Sequence, residues 1–472
     1  MKKLFGTDGI RAVAGQSPLD PRTVHAVGLA LAHSLGKTTP NPRVLLGMDT
    51  RESSDEIAAT LTAGLIAGGA SVENAGVITT PAVAHLTHAH GFATGIVISA
   101  SHNPWQDNGI KLFGPDGYKL PDSTELAIES EIFQVMGSNP NHVLGAPFFT
   151  ASSERVGSNS AQSPTQWATT NPPPVNDSDR VEYIRFLLAA VPGLSLDNQH
   201  IVVDCANGAA SAVAPQLFAQ LGGTVLVTHA SPNGRNINLG CGALHPEVVA
   251  AEVVRHKASI GITFDGDADR ALFADEHGNV INGDAVLLLA ARDLQSRNEL
   301  KNNTVVATTM SNMGLEAALS RSNIKMLRAP VGDKYVLEQM LSTGATLGGE
   351  QSGHIIFAGR STTGDGLLTA LLVLDIIHRS GKSLAQLTAD LKTFPQVILN
   401  VKVREKKPLD SIPTVAATIA AAEQALHGTG RVVIRYSGTE ALARVMIEAE
   451  DHAAMTHHAE AIAHAIRTEL GI

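Results

Sequence analysis

The sequence predicts an α/β protein of several domains: three similar α/β units with mixed, mainly parallel sheets, then a smaller α+β unit. Three observations carry that reading. Short β-branched runs alternate with helix-length apolar stretches over most of the chain, the order expected of βαβ units. After Pro395 the strands become neighbours instead of being separated by helices. The 472 residues exceed what one hydrophobic core organises, so several domains are expected.

The elements follow in order. Asp20-Pro21 opens a helix, with proline at its first position and Val24 to Leu35 as its apolar continuation. Val44 to Gly47 is a short buried strand ending at Asp49, and Ser53 or Ser54 caps the helix running to about Ile66. Gly68-Gly69 stops that helix, and a strand from Ser71, a helix from Pro81 to His88 and a strand from Gly95 to Ile98 follow. The apolar strand then gives way to small polar residues, and Pro104 forbids an immediate helix, so Ser101 is presented on a loop at the sheet edge. Residues 137–179 are rich in Ser, Asn, Pro and Thr, include Pro172-Pro173-Pro174, and read as a linker or surface excursion.

The α/β order resumes with strand His200–Asp204, helix Ala209–Leu221, strand Thr224–Thr228, a helix after Pro246 and strand Ser259–Phe264. A third round holds a helix at Asp284, strands Thr304–Ala307 and Ile324–Leu327, a helix after Asp333, strand Thr346–Gly348 and a long helix from about Leu367. The last unit reads strand Val397–Val403, helix Thr414–Leu426, strands Arg431–Tyr436 and Arg444–Glu448, and terminal helix His452–Leu470. The expected division is 1–140, a polar linker at 141–177, then 178–278, 279–393 and 394–472.

Composition narrows the function. A net charge of -10 argues against a general nucleic-acid or anionic-membrane binder. Aromatic residues make up only 4%, so the cores must be built from Ala, Val, Leu and Ile. Cys205 and Cys241 stand too far apart in sequence for a disulfide framework or a zinc motif, which fits a reducing compartment. Met1-Lys2-Lys3 is not followed by an apolar signal region. The most apolar stretch, Leu367 to Ile377, is interrupted by Asp375 and too short to span a bilayer. The expected location is the cytoplasm.

Four constellations carry chemistry. Ser101 is a weak nucleophile by itself and needs a base, a cation or a prior modification. Asp265, Asp267 and Asp269 alternate with Gly266 and Ala268 directly after an apolar strand, so a curled loop converges three carboxylates on one cation. Hard oxygen ligands suit Mg²⁺; the plain alternative is a solvated acidic turn. An EF-hand is excluded because no Glu ends a 12-residue loop from Asp265. Arg435, Tyr436, Ser437, Gly438, Thr439 and Glu440, with Arg444 beyond, combine guanidinium forks, hydroxyls and a glycine, a phosphate cradle or else an ordinary hairpin turn. Glu350, Gln351, Ser352 and His354 sit between apolar runs and suit a polyhydroxylated or amine-bearing ligand, though a lone histidine is as often structural. Arg11 and Lys111 offer further cations, although surface charge is the usual fate of a lone Arg or Lys.

Taken together, FGTDGIR at 5–11, SASHNPWQDNGIKLF at 99–113, DGDADR at 265–270, VGDKYV at 331–336, GEQSGH at 349–354 and RYSGTE at 435–440 resemble the α-D-phosphohexomutase superfamily. The motifs stand in the family's order and span nearly the whole chain. Gln351, VGDKYV and TGDG at 363–366 resemble the branch acting on glucosamine phosphates. The resemblance implies four domains around a central cleft, the last of them α+β and TBP-like. It implies a phosphoserine at Ser101, and one Mg²⁺ held by that residue with Asp265, Asp267 and Asp269. Arg11, His102, Lys111 and His354 become catalytic candidates. Arg270, Glu350 and Ser352 would meet the sugar phosphate, and Arg435, Ser437, Gly438, Thr439 and Arg444 would grip its non-reacting phosphate.

The implied reaction is reversible conversion of D-glucosamine 6-phosphate to D-glucosamine 1-phosphate through a 1,6-bisphosphate, a step toward UDP-N-acetylglucosamine. Glucosamine 1,6-bisphosphate or another hexose 1,6-bisphosphate would activate it. The implied partner is a small hexosamine phosphate, with no nucleic acid or membrane, and the protein a monomer or homodimer. A phosphomannomutase/phosphoglucomutase, a metal-dependent phosphatase and a non-catalytic sugar-phosphate sensor are the alternatives. Tyr436 and Ala441 depart from the family loop, where prolines are common and fix φ.

Overall fold

The computed structural model describes residues 4–6, 8–137, 170–437 and 441–472. Gly438 and Thr439, and most of the expected linker, lie outside the described residues.

The first unit holds β1 (Ile10–Val13), α1 (Pro21–Gly36), β2 (Arg43–Met48), α2 (Ser54–Ala67), β3 (Ser71–Val77), α3 (Thr80–Ala89), β4 (Thr94–Ile98), β5 (Asp107–Phe113) and α4 (Asp122–Val135). Its sheet order is β1-β5-β4-β2-β3, with β2 parallel to β3 and β4, and β5 antiparallel to both β4 and β1. Asp20 caps α1 by accepting from the Thr23 amide at 3.1 Å, as its sequence predicts. Ser53 does not cap α2. Its hydroxyl is instead taken by Asn108 Nδ2 at 2.9 Å, and Ser54 turns to Asp49 at 3.2 Å, so both serve the neighbouring loop.

The second unit repeats the plan with α5 (Asp177–Ala189), β6 (His200–Asp204), α6 (Ala210–Ala219), β7 (Thr224–Thr228), α7 (Pro246–His256), β8 (Ile260–Phe264), β9 (Ala271–Asp275) and β10 (Val280–Ile281). Its sheet order is β10-β9-β8-β6-β7. The third contains α8 (Gly283–Ser296), β11 (Thr304–Thr308), α9 (Met313–Arg321), β12 (Lys325–Ala329), α10 (Asp333–Thr343), β13 (Leu347–Gly349), β14 (Ile355–Phe357), α11 (Gly366–Ser380) and α12 (Leu384–Thr388), with sheet order β12-β11-β13-β14. The last has β15 (Gln396–Lys402), α13 (Pro413–Ala425), β16 (Gly430–Tyr436), β17 (Leu442–Ala449) and α14 (His452–Leu470) around an antiparallel sheet β15-β17-β16.

One device recurs in the first three sheets. A parallel strand (β4, β8 or β13) runs out to a polar loop, and the chain returns as an antiparallel neighbour (β5, β9 or β14). Those three loops, 99–106, 265–270 and 350–354, are the ones the sequence singles out for chemistry. The return strand places residues just beyond a loop back beside it, which is how Lys111 reaches the site.

The three units also share a core. Leu45, Val97 and Phe113 belong to the same buried cluster as Val203, Phe264, Val305, Leu347 and Leu371. His85 on α3 stacks on Phe186 of α5 at 3.8 Å between ring centres. The last unit has its own core of Val401, Val445, Ile447, Ile462 and Ile466, and meets the third through polar contacts. Arg431 donates to the Thr309 and Ser311 carbonyls at 2.9 and 3.0 Å, and Asn312 donates to Glu448. Among the described residues no helix is long and apolar enough to cross a membrane.

Tyr183 of α5 reaches across to α11, where its hydroxyl donates to Asp365 Oδ2 at 2.8 Å while Asp365 Oδ1 caps the helix at the Leu368 amide. Burial is the main influence on Asp365 and pushes its carboxyl up to about 6. The folded protein therefore retains a proton that the unfolded chain releases near pH 4, and this group's contribution to stability falls as pH rises from about 4 to 6. Asp365→Asn keeps the cap acceptor and removes the titration. The unfolding free energy of Asp365→Asn relative to the parent should therefore rise between pH 4 and 7, measured by urea denaturation, whereas a pH-independent difference would contradict the assignment.

Candidate active site

Ser101 stands at the carboxyl edge of the first sheet in the left-handed region, with φ of +52°. Its amide donates to Ser99 Oγ at 2.9 Å, and its own hydroxyl donates to Asp265 Oδ2 at 2.5 Å. The nucleophile candidate of one sheet thus touches the acidic loop of the next. That loop can approach so closely because residue 266 is glycine; a Cβ there would stand 2.5 Å from the Ser101 carbonyl oxygen.

Asp265, Asp267 and Asp269 are all buried, and one oxygen of each lies within 4.8 Å of the others. Burial, followed by the adjacent Asp269 and Asp267, holds the Asp265 carboxyl well above its ordinary range. Asp267 Oδ1 and Asp269 Oδ1 are buried without a hydrogen-bond partner. Convergent hard oxygens with unused lone pairs fit a divalent cation of the Mg²⁺ type, with Ser101 Oγ beside them.

Lys111, on β5, is buried beneath the loop with Nζ at 2.7 Å from Asp267, 3.1 Å from Asp8 and 3.6 Å from Asp269. Burial alone would favour its neutral form, but the three carboxylates outweigh it and hold the ammonium charged. Thr80 donates to the same Asp267 oxygen at 2.6 Å. Lys119 bridges Asp8 and Asp333, and Asp8 also pairs with Arg11. His354 completes the arrangement, with Nδ1 at 3.5 Å from Asp269 and Nε2 at 3.6 Å from Asp333. The Gly364 amide donates to Nε2 at 3.0 Å, which places the proton of the neutral ring on Nδ1. His354 is raised from its ordinary value because Asp269 and Asp333 overcome the effect of burial.

Above this buried layer lies a cleft of about 380 Å³. Arg11, His102, Asp269, Arg270, Glu350 and His354 line it, together with Asp8, Val331, Gly332 and Asp333. His102 Nδ1 stands 3.4 Å from Ser101 Oγ, and burial, then Arg270 and Arg11, bring its imidazole down to about 4, so it is neutral at pH 7. Arg270 is held charged against burial by Asp265 and Asp269. Glu350 takes the Gly332 amide at 3.2 Å and the Ser352 hydroxyl at 3.3 Å, so loops 331–333 and 350–354 form one wall.

Sequence reasoning missed Asp8, Thr80, Lys119 and Asp333. Asp8 and Asp333 lie inside the motifs at 5–11 and 331–336, whereas Lys119 carries no local signal at all. Arg435 faces Arg444 across the β16–β17 ladder, and Ser437 is tied by its amide to the Leu442 carbonyl at 2.9 Å. Of the last unit's described residues, none lines the cleft. Tyr436, which stands where the family loop commonly has proline, donates its hydroxyl to the Lys407 carbonyl at 2.5 Å, a different means of fixing the strand end.

Profiles of phosphoglucomutase/phosphomannomutase match the chain four times: alpha/beta/alpha domain I over residues 2–137, domain II over 181–278, domain III over 282–394, and the C-terminal domain over 398–465. A protein of Koribacter versatilis named phosphoglucosamine mutase is 56% identical over 475 residues, covering 100% of this chain and 98% of that one. One of the same name from Solibacter usitatus is 49% identical, covering 100% and 99%. Among solved structures, a phosphoglucomutase/phosphomannomutase family protein of Burkholderia thailandensis superposes with a TM-score of 0.75 at 22% identity, covering 100% of both chains. Aspergillus fumigatus N-acetylphosphoglucosamine mutase, in complex with GlcNAc-6P and magnesium, superposes with a TM-score of 0.62 at 18% identity, covering 99% and 96%.

Removing the Lys111 charge would strand buried carboxylates. Lys111→Met should lower the unfolding free energy by about 3–5 kcal/mol at neutral pH, measured by chemical denaturation; a change near zero would show that Asp267 and Asp269 do not depend on it.

Proposed function

The chain belongs to the phosphoglucomutase/phosphomannomutase family, and on that premise we propose how its reaction runs. It is a phosphohexomutase, an isomerase acting by phosphoryl transfer, and its activity is the reversible conversion of D-glucosamine 6-phosphate to D-glucosamine 1-phosphate. The observation that best supports a phosphoserine route is the contact between Ser101 Oγ and Asp265 beneath a cleft that Arg11 and Arg270 line.

In the resting enzyme Ser101 carries a phosphoryl group. Its Oγ–P bond breaks as the sugar's 1-hydroxyl forms a new O–P bond, giving the 1,6-bisphosphate. The bisphosphate turns over in the cleft, returns its 6-phosphoryl group to Ser101, and leaves as the 1-phosphate. Arg11 and Arg270 direct guanidinium forks at the phosphoryl oxygens. Lys111 acts as a fixed cation, since three carboxylates keep its proton in place. His102, neutral and beside Ser101 Oγ, relays the proton from the sugar hydroxyl to the serine oxygen. Glu350 and Ser352 hold sugar hydroxyls, and His354 keeps Asp269 oriented. Arg435, Ser437, Gly438, Thr439 and Arg444 grip the phosphate that is not being transferred. Ser101, Asp265, Asp267 and Asp269 would hold Mg²⁺, which when bound neutralises charge on the phosphoryl oxygens. A hexose 1,6-bisphosphate restores the phosphoserine whenever the intermediate escapes. Both cysteines are free thiols, which supports a cytoplasmic setting.

A coupled assay on glucosamine 6-phosphate, mannose 6-phosphate and glucose 6-phosphate, with catalytic bisphosphate present, tests the assignment. The amino sugar should give the highest kcat/KM, EDTA should silence the enzyme, and Mg²⁺ should restore it. Ser101→Ala should remove turnover, and intact mass should fall by one phosphate on phosphatase treatment of the parent; a fully active Ser101→Ala would end the phosphoserine reading. Arg435→Ala should raise KM roughly tenfold with kcat changed less than about threefold, and an unchanged KM would remove Arg435 from the phosphate grip.

A further inference from the structure

Beneath the serine loop lies a guanidinium that none of these roles uses. Arg51 follows β2, and its side chain is completely buried. Its Nε donates to Asp49 Oδ2 at 2.8 Å, so its charge is met by its neighbour. The rest of the fork is spent on backbone. Nη2 donates to the carbonyls of Ser101 at 2.9 Å and Asn103 at 2.8 Å, and Nη1 to those of Asp107 at 2.9 Å and Pro104. One planar group thus gathers four carbonyls of the loop that carries the nucleophile. From the second unit, Asn238 Nδ2 reaches the same Ser101 and Asn103 carbonyls at 2.9 and 3.2 Å. On the other side of the Ser101 peptide, Ser99 Oγ accepts the Ser101 amide and donates to Asp49 Oδ2 at 2.6 Å. Asp49 therefore anchors both the amide side and the carbonyl side of this left-handed residue.

We infer that Arg51, backed by Asp49 and met by Asn238, is a positioning residue for phosphoryl transfer that fixes the Ser101 backbone so that Oγ points at Asp265. Its role is fork geometry rather than charge. Lysine at 51 can keep the ion pair with Asp49 but cannot span four carbonyls from one plane. Misplacing a reacting atom slows the chemical step while leaving the distant sugar contacts intact. The inference rests on the phosphoserine reading of Ser101.

The test compares Arg51→Lys and Asn238→Gly with the parent and with Ser101→Ala, measuring kcat, KM for glucosamine 6-phosphate and thermal stability. Glycine suits position 238 because Asn238 has φ of +58° and glycine adopts that conformation freely. Folded Arg51→Lys should lose roughly 10- to 100-fold in kcat, with KM within about threefold of the parent. Asn238→Gly should show the same split to a smaller degree. A folded Arg51→Lys with parental kcat and only a lowered melting temperature would overturn the inference. Should Arg51→Lys fail to fold, Asn238→Gly decides it, since its donors reach the same two carbonyls: a kcat loss at unchanged KM supports the positioning role and parental kcat overturns it. An inactive Ser101→Ala beside fully active clamp variants would refute the clamp alone, whereas an active Ser101→Ala would refute the phosphoserine itself.

Discussion

A closed circuit of buried and partly buried ionisable groups holds the first three units together. Asp8 pairs with Lys119, Lys119 with Asp333, Asp333 with His354, His354 with Asp269, Asp269 with Lys111, and Lys111 returns to Asp8. Five members carry charge, and His354, whose Nε2 accepts the Gly364 amide, stands between Asp333 and Asp269. Its members come from three units: Asp8, Lys111 and Lys119 from the first, Asp269 from the second, Asp333 and His354 from the third. A buried ion pair gains little over an apolar packing, but a buried charge stripped of its partner costs several kcal/mol. The circuit therefore disfavours every arrangement in which one unit docks without the others. The shared apolar core supplies the affinity between units, and the charges specify the register.

That division explains what could be read from the sequence. The apolar strand followed by Asp265, Asp267 and Asp269 was legible because acidic residues at alternate positions after a buried strand have few other uses. Ser101 was legible from the strand that delivers it. Their mutual contact follows from the recurring loop-and-return device only once β5, β9 and β14 are known, and those return strands were not separable from the loops by periodicity. Lys111 illustrates the difficulty. A lone lysine ten residues past a serine reads as surface, and only antiparallel pairing, with Lys111 opposite Val97, brings it under the acidic loop. Lys119 and Asp333 meet across a domain boundary, a relation carried by no local pattern. Ser53 shows the opposite error, a plausible cap whose hydroxyl a tertiary partner claims.

The last unit is joined by a different kind of interface. Its core is separate, and its contact with the third unit runs through Arg431, Glu448 and Asn312 and the 309–311 carbonyls. Such polar contacts are directional and few, the pattern of interfaces that permit relative domain motion. An enzyme that must bind a sugar by either of two phosphates and let the bisphosphate turn needs one wall that can loosen. If Arg435 and Arg444 grip the second phosphate as proposed, their place on the separately packed unit would meet that need without disturbing the buried circuit.

Backbone strain sits where those constraints converge. Ser101 and Ala268, at the centres of the two loops that touch, both have left-handed φ, +52° and +56°, which costs a residue other than glycine on the order of 1–3 kcal/mol. Each is held by the neighbouring unit: the Ser101 carbonyl takes Asn238, and the Ala268 carbonyl takes the Gly366 amide at 3.0 Å. A hydrogen bond contributes about 1 kcal/mol, and one to a charged donor such as Arg51 rather more, so the Ser101 strain is offset partly inside the first unit, by Arg51 and Ser99, and partly by the Asn238 bond that exists only after docking. The isolated first unit would lack both the Asn238 bond and the Asp265 acceptor. The Ser101 geometry is thus set within the first unit by Arg51 and Asp49 and completed by the docking that closes the charge circuit.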